Sequence, residues 1–153
     1  MFIKNLLENK TIIITGGGTG LGKSMAMRFG ELGANLVLTS RKQDVLDETA
    51  QEINEKTGAE ILTVATDIRH SEQVEKMVDQ SLNKFGSIDS LLNNAAGNFI
   101  SPTENLSENA FRTIIDIVLV GSFNCTQAVG KSMRKSGGGT ILNIVTTYAF
   151  TGS

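Results

Sequence analysis

A glycine-rich turn near the start of the chain holds the residues best suited to binding a charged ligand. It follows the apolar run 11–15 and opens a helical pattern. Glycines in this context permit a tight turn, close approach of the backbone to a pyrophosphate, and close packing of helix on strand. The helix N-terminus adds free N–H groups and a positive dipole end. The pattern predicts a dinucleotide site, a turn without ligand being the alternative, at Gly16, Gly18, Thr19, Gly20, Leu21 and Gly22.

The segment after the second apolar run indicates which dinucleotide is bound. An acid at this point typically accepts from the ribose 2′-hydroxyl of NAD. Here the chain has Ser40, Arg41 and Lys42. A guanidinium suits a 2′-phosphate, so we predict NADP(H) with Ser40 and Arg41 in its site; solvated surface charge is the alternative. Asp67, after the third apolar run, is predicted to accept from the adenine amino group, or else to serve as a turn residue.

The elements that must position these residues alternate between strands and helices. Helices are expected between the strands, one with Ser71 as its N-cap and one continuous from about Ser107 to Lys135. This alternation predicts an α/β fold, a Rossmann-type doubly wound parallel sheet, here its N-terminal portion with about five strands buried on both faces. The predicted strands are 11–15, 35–39, 61–64, 88–92 and 140–145.

Composition narrows the class of protein. The 153 residues predict a single dinucleotide-binding domain over 1–153. A net charge of −2 gives no electrostatic reason to expect nucleic acid or an anionic membrane as partner, and no apolar stretch is expected to span a bilayer. The single cysteine, Cys125, favours a reducing, cytoplasmic location and a place in the core. His70 is expected at the surface, and no residue cluster predicts a metal site.

Together these features resemble the short-chain dehydrogenase/reductase family. The turn matches its T-G-x-x-x-G-x-G pattern, and Asn93-Asn94-Ala95 resembles its N-N-A element. The resemblance runs from about Lys10 to the end of the chain. It implies that Asn94 and Ala95 support the cofactor site.

Segments 93–104, 116–119, 146–149 and 151–153 are similar to those of one branch of that family, the NADPH-dependent 2,4-dienoyl-CoA reductases. The resemblance implies that Tyr148 is catalytic and that Asn98 helps to hold the thioester carbonyl. It also implies that Arg41, Arg69, Phe99 and Ser107 lie near cofactor or acyl-CoA, with Arg69 a candidate for the CoA phosphates. Without the resemblance, the residues alone favour a strand-end role for Tyr148 and leave a turn role open for Asn98.

The implied chemistry agrees with these residue types. Hydride added to the far end of a conjugated dienoyl thioester moves negative charge onto the thioester oxygen. A phenol and an amide can stabilise that dienolate as an oxyanion hole does. A proton then reaches the carbon skeleton, leaving an enoyl-CoA with one double bond fewer.

The sequence departs from the family pattern after Tyr148. The usual Tyr-x-x-x-Lys is absent, because Gly152 stands four residues on. Thr146 takes the place of the usual serine, and Val118 and Val120 those of asparagines. The Ser and Lys of the dienoyl-CoA branch fall beyond Ser153, so we expect a domain incomplete at its C-terminus, with one sheet face and edge exposed, and a homo-oligomeric full-length form.

Two other functions remain open from the sequence. One is a different short-chain reductase that acts on a ketoacyl or other carbonyl substrate. The other is a non-catalytic nucleotide-binding fragment, which would hold a dinucleotide without turnover.

Overall fold

The computed structural model describes residues 3–146. A short 3-10 turn lies at Thr103–Asn105, and a π-helical segment at Asp116–Gly121 joins the helices Glu108–Ile115 and Ser122–Lys135. The elements are β1 (Thr11–Thr15), α1 (Gly20–Glu31), β2 (Asn35–Ser40), α2 (Gln43–Thr57), β3 (Ile61–Ala65), α3 (Ser71–Phe85), β4 (Ser90–Asn93), α4 (Glu108–Ile115), α5 (Ser122–Lys135) and β5 (Thr140–Asn143).

The strands form one parallel sheet in the order β3-β2-β1-β4-β5. The register places Ile13 of β1 opposite Val37 of β2 and Leu91 of β4. The chain builds outward from β1 to β3, then returns to the other side of β1 with β4. The predicted α/β architecture with five parallel strands is confirmed.

Alternate side chains of β1 enter two separate cores. Ile12 and Ile14 pack with Ala26 of α1 and with residues of α2. Ile13 packs on the other face with Val74 of α3 and Val129 of α5. Because both faces are covered, every residue of β1 is buried, as expected for a central strand of a doubly wound sheet.

The expectation of burial on both faces is wrong for β5. This strand lies at the sheet edge and pairs with β4 alone. Leu142 on it is 52% exposed. The exposure of β5 follows from its place at the edge of the sheet.

Several element ends differ from the sequence prediction. His70, not Ser71, is the N-cap of α3, and its side chain makes no capping bond. Strand β4 begins at Ser90, two residues later than predicted, and the carboxylate of the preceding Asp89 accepts from Lys10 Nζ and Thr11 N, both at 2.9 Å. The long helix predicted after Ser107 is present but changes to π-helical geometry in its middle.

The run Glu108–Lys135 also corrects the expectation that no stretch could span a bilayer. By length and composition alone, this run is long and apolar enough to cross a membrane, with a mean hydropathy of 1.3 over an 18-residue window. Mostly buried core helices of soluble domains pass the same test; here 17% of that window is buried, while Cys125, Val129 and Met133 of the run pack into the core on one face of the sheet.

Candidate functional site

A cleft of about 420 Å³ opens beyond the carboxyl ends of the strands, where the chain direction across the sheet reverses between β1 and β4. Ligands of open α/β sheets bind at such a reversal. The cleft brings together most of the cofactor residues predicted from the sequence. It is lined by Gly16, Thr19, Gly20, Leu21, Thr39, Ser40, Arg41, Thr66, Asp67, Ile68, Asn94, Ala95, Ala96 and Ile117.

The glycine turn is shaped by close backbone contacts. Gly16 has φ of +66°, and its N–H donates to the Thr39 carbonyl at 2.8 Å. A Cβ on Gly22 would stand 2.7 Å from Asn94 Nδ2 and would also clash with the Gly16 carbonyl. Gly22 therefore lets α1 start directly against the end of β1, outside the cleft itself.

The N-terminus of α1 faces the cleft, and no protein side chain caps its free N–H groups or offsets the partial positive charge of the helix dipole. Thr19 is its N-cap and forms no side-chain capping bond, and no acidic residue stands in the first turn. Gly20 has φ of +53°, and nothing lies within 4 Å of where its Cβ would be. Free amides, the helix dipole and open space together fit an anionic phosphate group.

Thr15 is a structural centre of the site that sequence reasoning missed. Its hydroxyl accepts from the N–H groups of Asn94 and Ala95, at 3.0 and 2.9 Å, and donates to the Leu92 carbonyl at 3.3 Å. Asn94 Nδ2 in turn donates to the Thr15 carbonyl at 3.0 Å. The sequence did contain a signal for this role, because Thr15 is a polar residue directly after the buried apolar run 12–14.

Thr49 of α2 holds the other side of the turn and was also missed. Its buried hydroxyl donates to the Gly18 carbonyl at 2.7 Å. The bond joins α2 to the segment between β1 and α1. Both threonines therefore fix the shape of the glycine turn from outside it.

A second depression, of about 300 Å³, continues the cleft along the end of β2. Gly16, Gly18, Thr19, Ser40, Arg41, Lys42 and Val45 line it. Arg41 and Lys42 are exposed, and neither forms an ion pair with any residue between 3 and 146. Two uncompensated cations at one end of the cleft can hold a further anionic group.

Asp67 lines the cleft, but its carboxylate is bound by Arg69. Arg69 Nε lies 2.9 Å from Oδ1 and 3.1 Å from Oδ2, and Nη2 contacts Oδ2. The Arg69 N–H also donates to Oδ1 at 3.1 Å. These bonds lower the pKa of Asp67 to about 2, and the same pairing raises the pKa of Arg69. The sequence predicted separate partners for these two side chains; it did not predict their pairing.

The residues predicted to contact substrate are not gathered in the cleft. Asn98 and Phe99 lie in the exposed loop after β4, and Phe99 is 49% exposed. Ser107 caps α4, its hydroxyl accepting from Ala110 N at 3.2 Å. Tyr148 lies outside the described residues.

An apolar cavity of about 720 Å³ adjoins the cleft and shares Asn94, Ala95 and Ala96 with it. Val118, Leu119 and Phe123 from the long helix form one wall. Ile144, Val145 and Thr146 form another, so the hydroxyl residue that the resemblance aligns with the usual serine lies here. An elongated apolar ligand beside the cofactor cleft fits this arrangement.

Two further expectations are confirmed. Cys125 is fully buried, and its burial raises the pKa of the thiol to about 12, so it is an inert core residue. The His70 side chain is exposed. Among residues 3–146, no group of histidine, cysteine and carboxylate side chains is placed to hold a metal ion.

Comparison with known proteins agrees with this geometry. The family model described as short chain dehydrogenase matches residues 10–153. The chain belongs to this family. Among its relatives, a probable 2,4-dienoyl-CoA reductase of Bacillus subtilis (strain 168) is 40% identical over 145 residues, covering 94% of this chain and 57% of the relative.

Other short-chain dehydrogenases show the same partial coverage. The peroxisomal 2,4-dienoyl-CoA reductase of Rattus norvegicus is 39% identical over 99% of this chain and 52% of its own. A crystal structure of a short chain dehydrogenase from Bacillus anthracis aligns with a TM-score of 0.89 at 48% identity, over 95% of this chain and 58% of that one. The chain spans about half the length of the curated relatives it matches.

Proposed function

We propose that the protein is an NADPH-dependent oxidoreductase that reduces 2,4-dienoyl-CoA thioesters formed in the β-oxidation of unsaturated fatty acids. The observation that carries the proposal is the likeness to relatives named 2,4-dienoyl-CoA reductase, at 36–40% identity in the bacterial, fish and rat proteins. The apolar cavity beside the cofactor cleft supports an acyl substrate, because the transfer of a long apolar chain from water into such a cavity lowers the free energy.

NADP(H) is the dinucleotide that the cationic end of the cleft favours. Arg41 and Lys42 offer charge to a 2′-phosphate, and Ser40 adds a hydroxyl. The glycine turn would hold the pyrophosphate with Gly16, Gly18, Thr19, Gly20, Leu21 and Gly22 around it, and Asn94 and Ala95 would support it from β4. Affinities for NADPH and NADH measured on the purified chain test this choice, and equal affinities would contradict it.

NADPH, when bound, would supply the hydride that adds to the far end of the diene and would leave as NADP⁺. Tyr148 and Asn98 are proposed to donate hydrogen bonds to the thioester oxygen as it gains negative charge. Phe99 and Ser107 are proposed to lie near the acyl-CoA; in the free chain Ser107 caps α4. The proton that completes the reaction ends on a carbon of the former diene, which balances the addition of two electrons.

Turnover separates this function from its alternatives. Consumption of NADPH with a 2,4-dienoyl-CoA, abolished by Tyr148→Phe and reduced by Asn98→Ala, is the expected result in a protein of full family length. Activity on a ketoacyl or other carbonyl substrate alone would favour a different short-chain reductase. Dinucleotide binding without turnover by the 153-residue chain would favour a nucleotide-binding fragment.

The proposal extends to assembly and location. We infer a homo-oligomer for a protein of full family length, because the exposed apolar side chains on the long helix favour association. A cytoplasmic location stays a prediction, since the names of the zebrafish and rat relatives place those proteins in peroxisomes. Size-exclusion chromatography with light scattering and cell fractionation test the two statements.

A further inference from the structure

The Gly18 carbonyl is turned into the protein. It accepts from the buried hydroxyl of Thr49, in the second turn of α2, at 2.7 Å. Gly18 also lines the depression of about 300 Å³ that Arg41 and Lys42 line, whereas Thr49 does not. A hydroxyl outside the depression therefore holds one of the polar groups of its wall.

The orientation of this carbonyl also sets the orientation of the next amide. The Gly18–Thr19 peptide bond is trans, so the Thr19 N–H points opposite to the Gly18 carbonyl. No residue between 3 and 146 accepts from the Thr19 N–H. Thr19 is exposed and lines both the cleft and the depression. The donor end of this peptide is therefore open to a ligand, and its acceptor end is bound inside the protein.

Close packing holds the turn against the same helix. A Cβ on Gly18 would stand 3.2 Å from Val45 Cγ1 and 3.4 Å from Leu46 Cδ2. Lys42 is the N-cap of α2, so one helix carries both this cation and the Thr49 hydroxyl. The helix therefore fixes the Gly18 peptide relative to the cationic end of the depression.

Removal of the Thr49 hydroxyl would leave a buried carbonyl without a donor. Such a group is costly, so the Gly18–Thr19 peptide would rotate towards water. The open space that Gly18 borders is the depression. A carbonyl turned into it would repel a 2′-phosphate, whereas a 2′-hydroxyl could donate to the same oxygen.

We propose that Thr49 is a positioning residue that makes the depression selective for a dinucleotide with a 2′-phosphate, because it keeps the Gly18 carbonyl out and leaves the Thr19 N–H free. The inference rests on the proposed dinucleotide function. It assigns part of the selectivity to a buried side chain that lies outside the lining of the site.

The test compares the dissociation constants of NADPH and NADH on the 153-residue chain and its Thr49 variants. Thr49→Val removes the hydroxyl and keeps the shape, and we expect it to weaken NADPH about tenfold, the scale of one hydrogen bond to a charged group, and NADH about twofold at most. Thr49→Ala also removes the hydroxyl and should shift the ratio in the same direction. Thr49→Ser keeps the donor and should keep the ratio of the unsubstituted chain.

Ser81→Ala is the matched control. The Ser81 hydroxyl is also buried in a helix and donates to a backbone carbonyl, that of Met77, at 2.7 Å, but it lines neither the cleft nor the depression. This variant should leave both dissociation constants unchanged, and circular dichroism checks that each variant is folded. For a variant too unstable to titrate, the rise in unfolding temperature with each dinucleotide gives the same comparison.

The ratio separates selection from a purely structural role. A turn that was only destabilised would bind both dinucleotides less well, so equal weakening by Thr49→Val would overturn the inference alone, as would an unchanged preference for NADPH. A loss of preference in Thr49→Ser as large as in Thr49→Val would overturn it too. Equal affinities in the unsubstituted chain would overturn the preference for NADP(H) as well, and binding of neither dinucleotide would overturn the proposed function.

Discussion

Thr15 joins strand β1 to residues 92–95 at the end of β4 through one buried hydroxyl. Two backbone N–H groups, of Asn94 and Ala95, have that oxygen as their acceptor. Thr15→Val keeps the shape and leaves two partly buried donors without their partner, so we expect a loss of about 1 kcal/mol in the free energy of unfolding. Urea unfolding measures it. Thr113→Val, whose hydroxyl bonds only a carbonyl of its own helix, is the control and should cost far less.

Two glycines in helices are expected to respond in opposite ways to alanine. At Gly22 a Cβ would overlap the Gly16 carbonyl and Asn94 Nδ2, both held by other bonds, so Gly22→Ala should destabilise by about 2 kcal/mol and distort the turn. At Gly130 nothing lies within 4 Å, and Gly130→Ala should stabilise by about 0.5 kcal/mol through helix propensity. Thermal unfolding of the pair measures both. Equal effects would contradict this account of the turn.

At the residue scale, the sequence predicted which positions line the cleft better than it predicted their partners. Gly16, Arg41 and Asp67 lie where the strand-turn-helix pattern placed them. The pairing of Asp67 with Arg69 was not predictable, because it depends on side-chain directions that no periodicity encodes. Thr15 and Asn124 act through contacts to residues about 56 to 80 positions away along the chain.

The loop between β3 and α3 gives a pH dependence at the scale of an element. Bonds from Arg69 lower the pKa of Asp67 to about 2, below its ordinary value of 3.8. The unfolded chain therefore takes up this proton first as pH falls, so the stabilisation is complete above about pH 5 and is lost towards pH 2. The difference in unfolding free energy between the unsubstituted chain and Asp67→Asn should shrink over that range. Urea titrations at several pH values measure it.

A second variant keeps that test specific to the ion pair. Arg69→Gln removes the partner that lowers the pKa and should flatten the acid limb of the stability profile as Asp67→Asn does. The double variant should show no additional flattening, because both changes remove one interaction. A profile that keeps its acid limb in Asp67→Asn would show that other carboxylates cause it.

The spacing of apolar residues predicted most of the strands and helices. It did not predict the places where contacts with other elements change the helix geometry. β1 was predicted residue for residue, because an apolar run ending at a glycine turn has few alternatives. The π-helical segment at Asp116–Gly121 was not predicted, since an apolar run looks the same in either helical geometry. There Gly121 lies against Ile68, and a Cβ would stand 2.6 Å from that side chain. Helix spacing alone does not show such a close approach.

For the whole molecule, alternating elements were enough to predict the sheet and its cleft, because right-handed crossovers leave few ways to arrange five parallel strands. Which apolar side chains are exposed could be determined only from the three-dimensional structure. Phe111, Leu119 and Phe123 of the long helix and Val145 after β5 are all more than half exposed. Apolar groups spread over one side promote association. Phe123→Lys should therefore lower the apparent mass in concentrated solution, measured by light scattering, relative to Arg112→Gln.

Cofactor binding should stabilise the whole domain, because the cleft takes residues from the ends of four strands. A ligand that binds only the folded chain adds about 2.7 kcal/mol at a hundredfold excess over its dissociation constant. NADPH should thus raise the unfolding temperature more than NADH at equal concentration. Arg41→Ala should reduce the NADPH effect towards that of NADH and leave the NADH effect unchanged, because only the 2′-phosphate loses one of its partners. If Arg41→Ala weakens both dinucleotides equally, Arg41 contacts a group that they share, and the preference for NADP(H) has another origin.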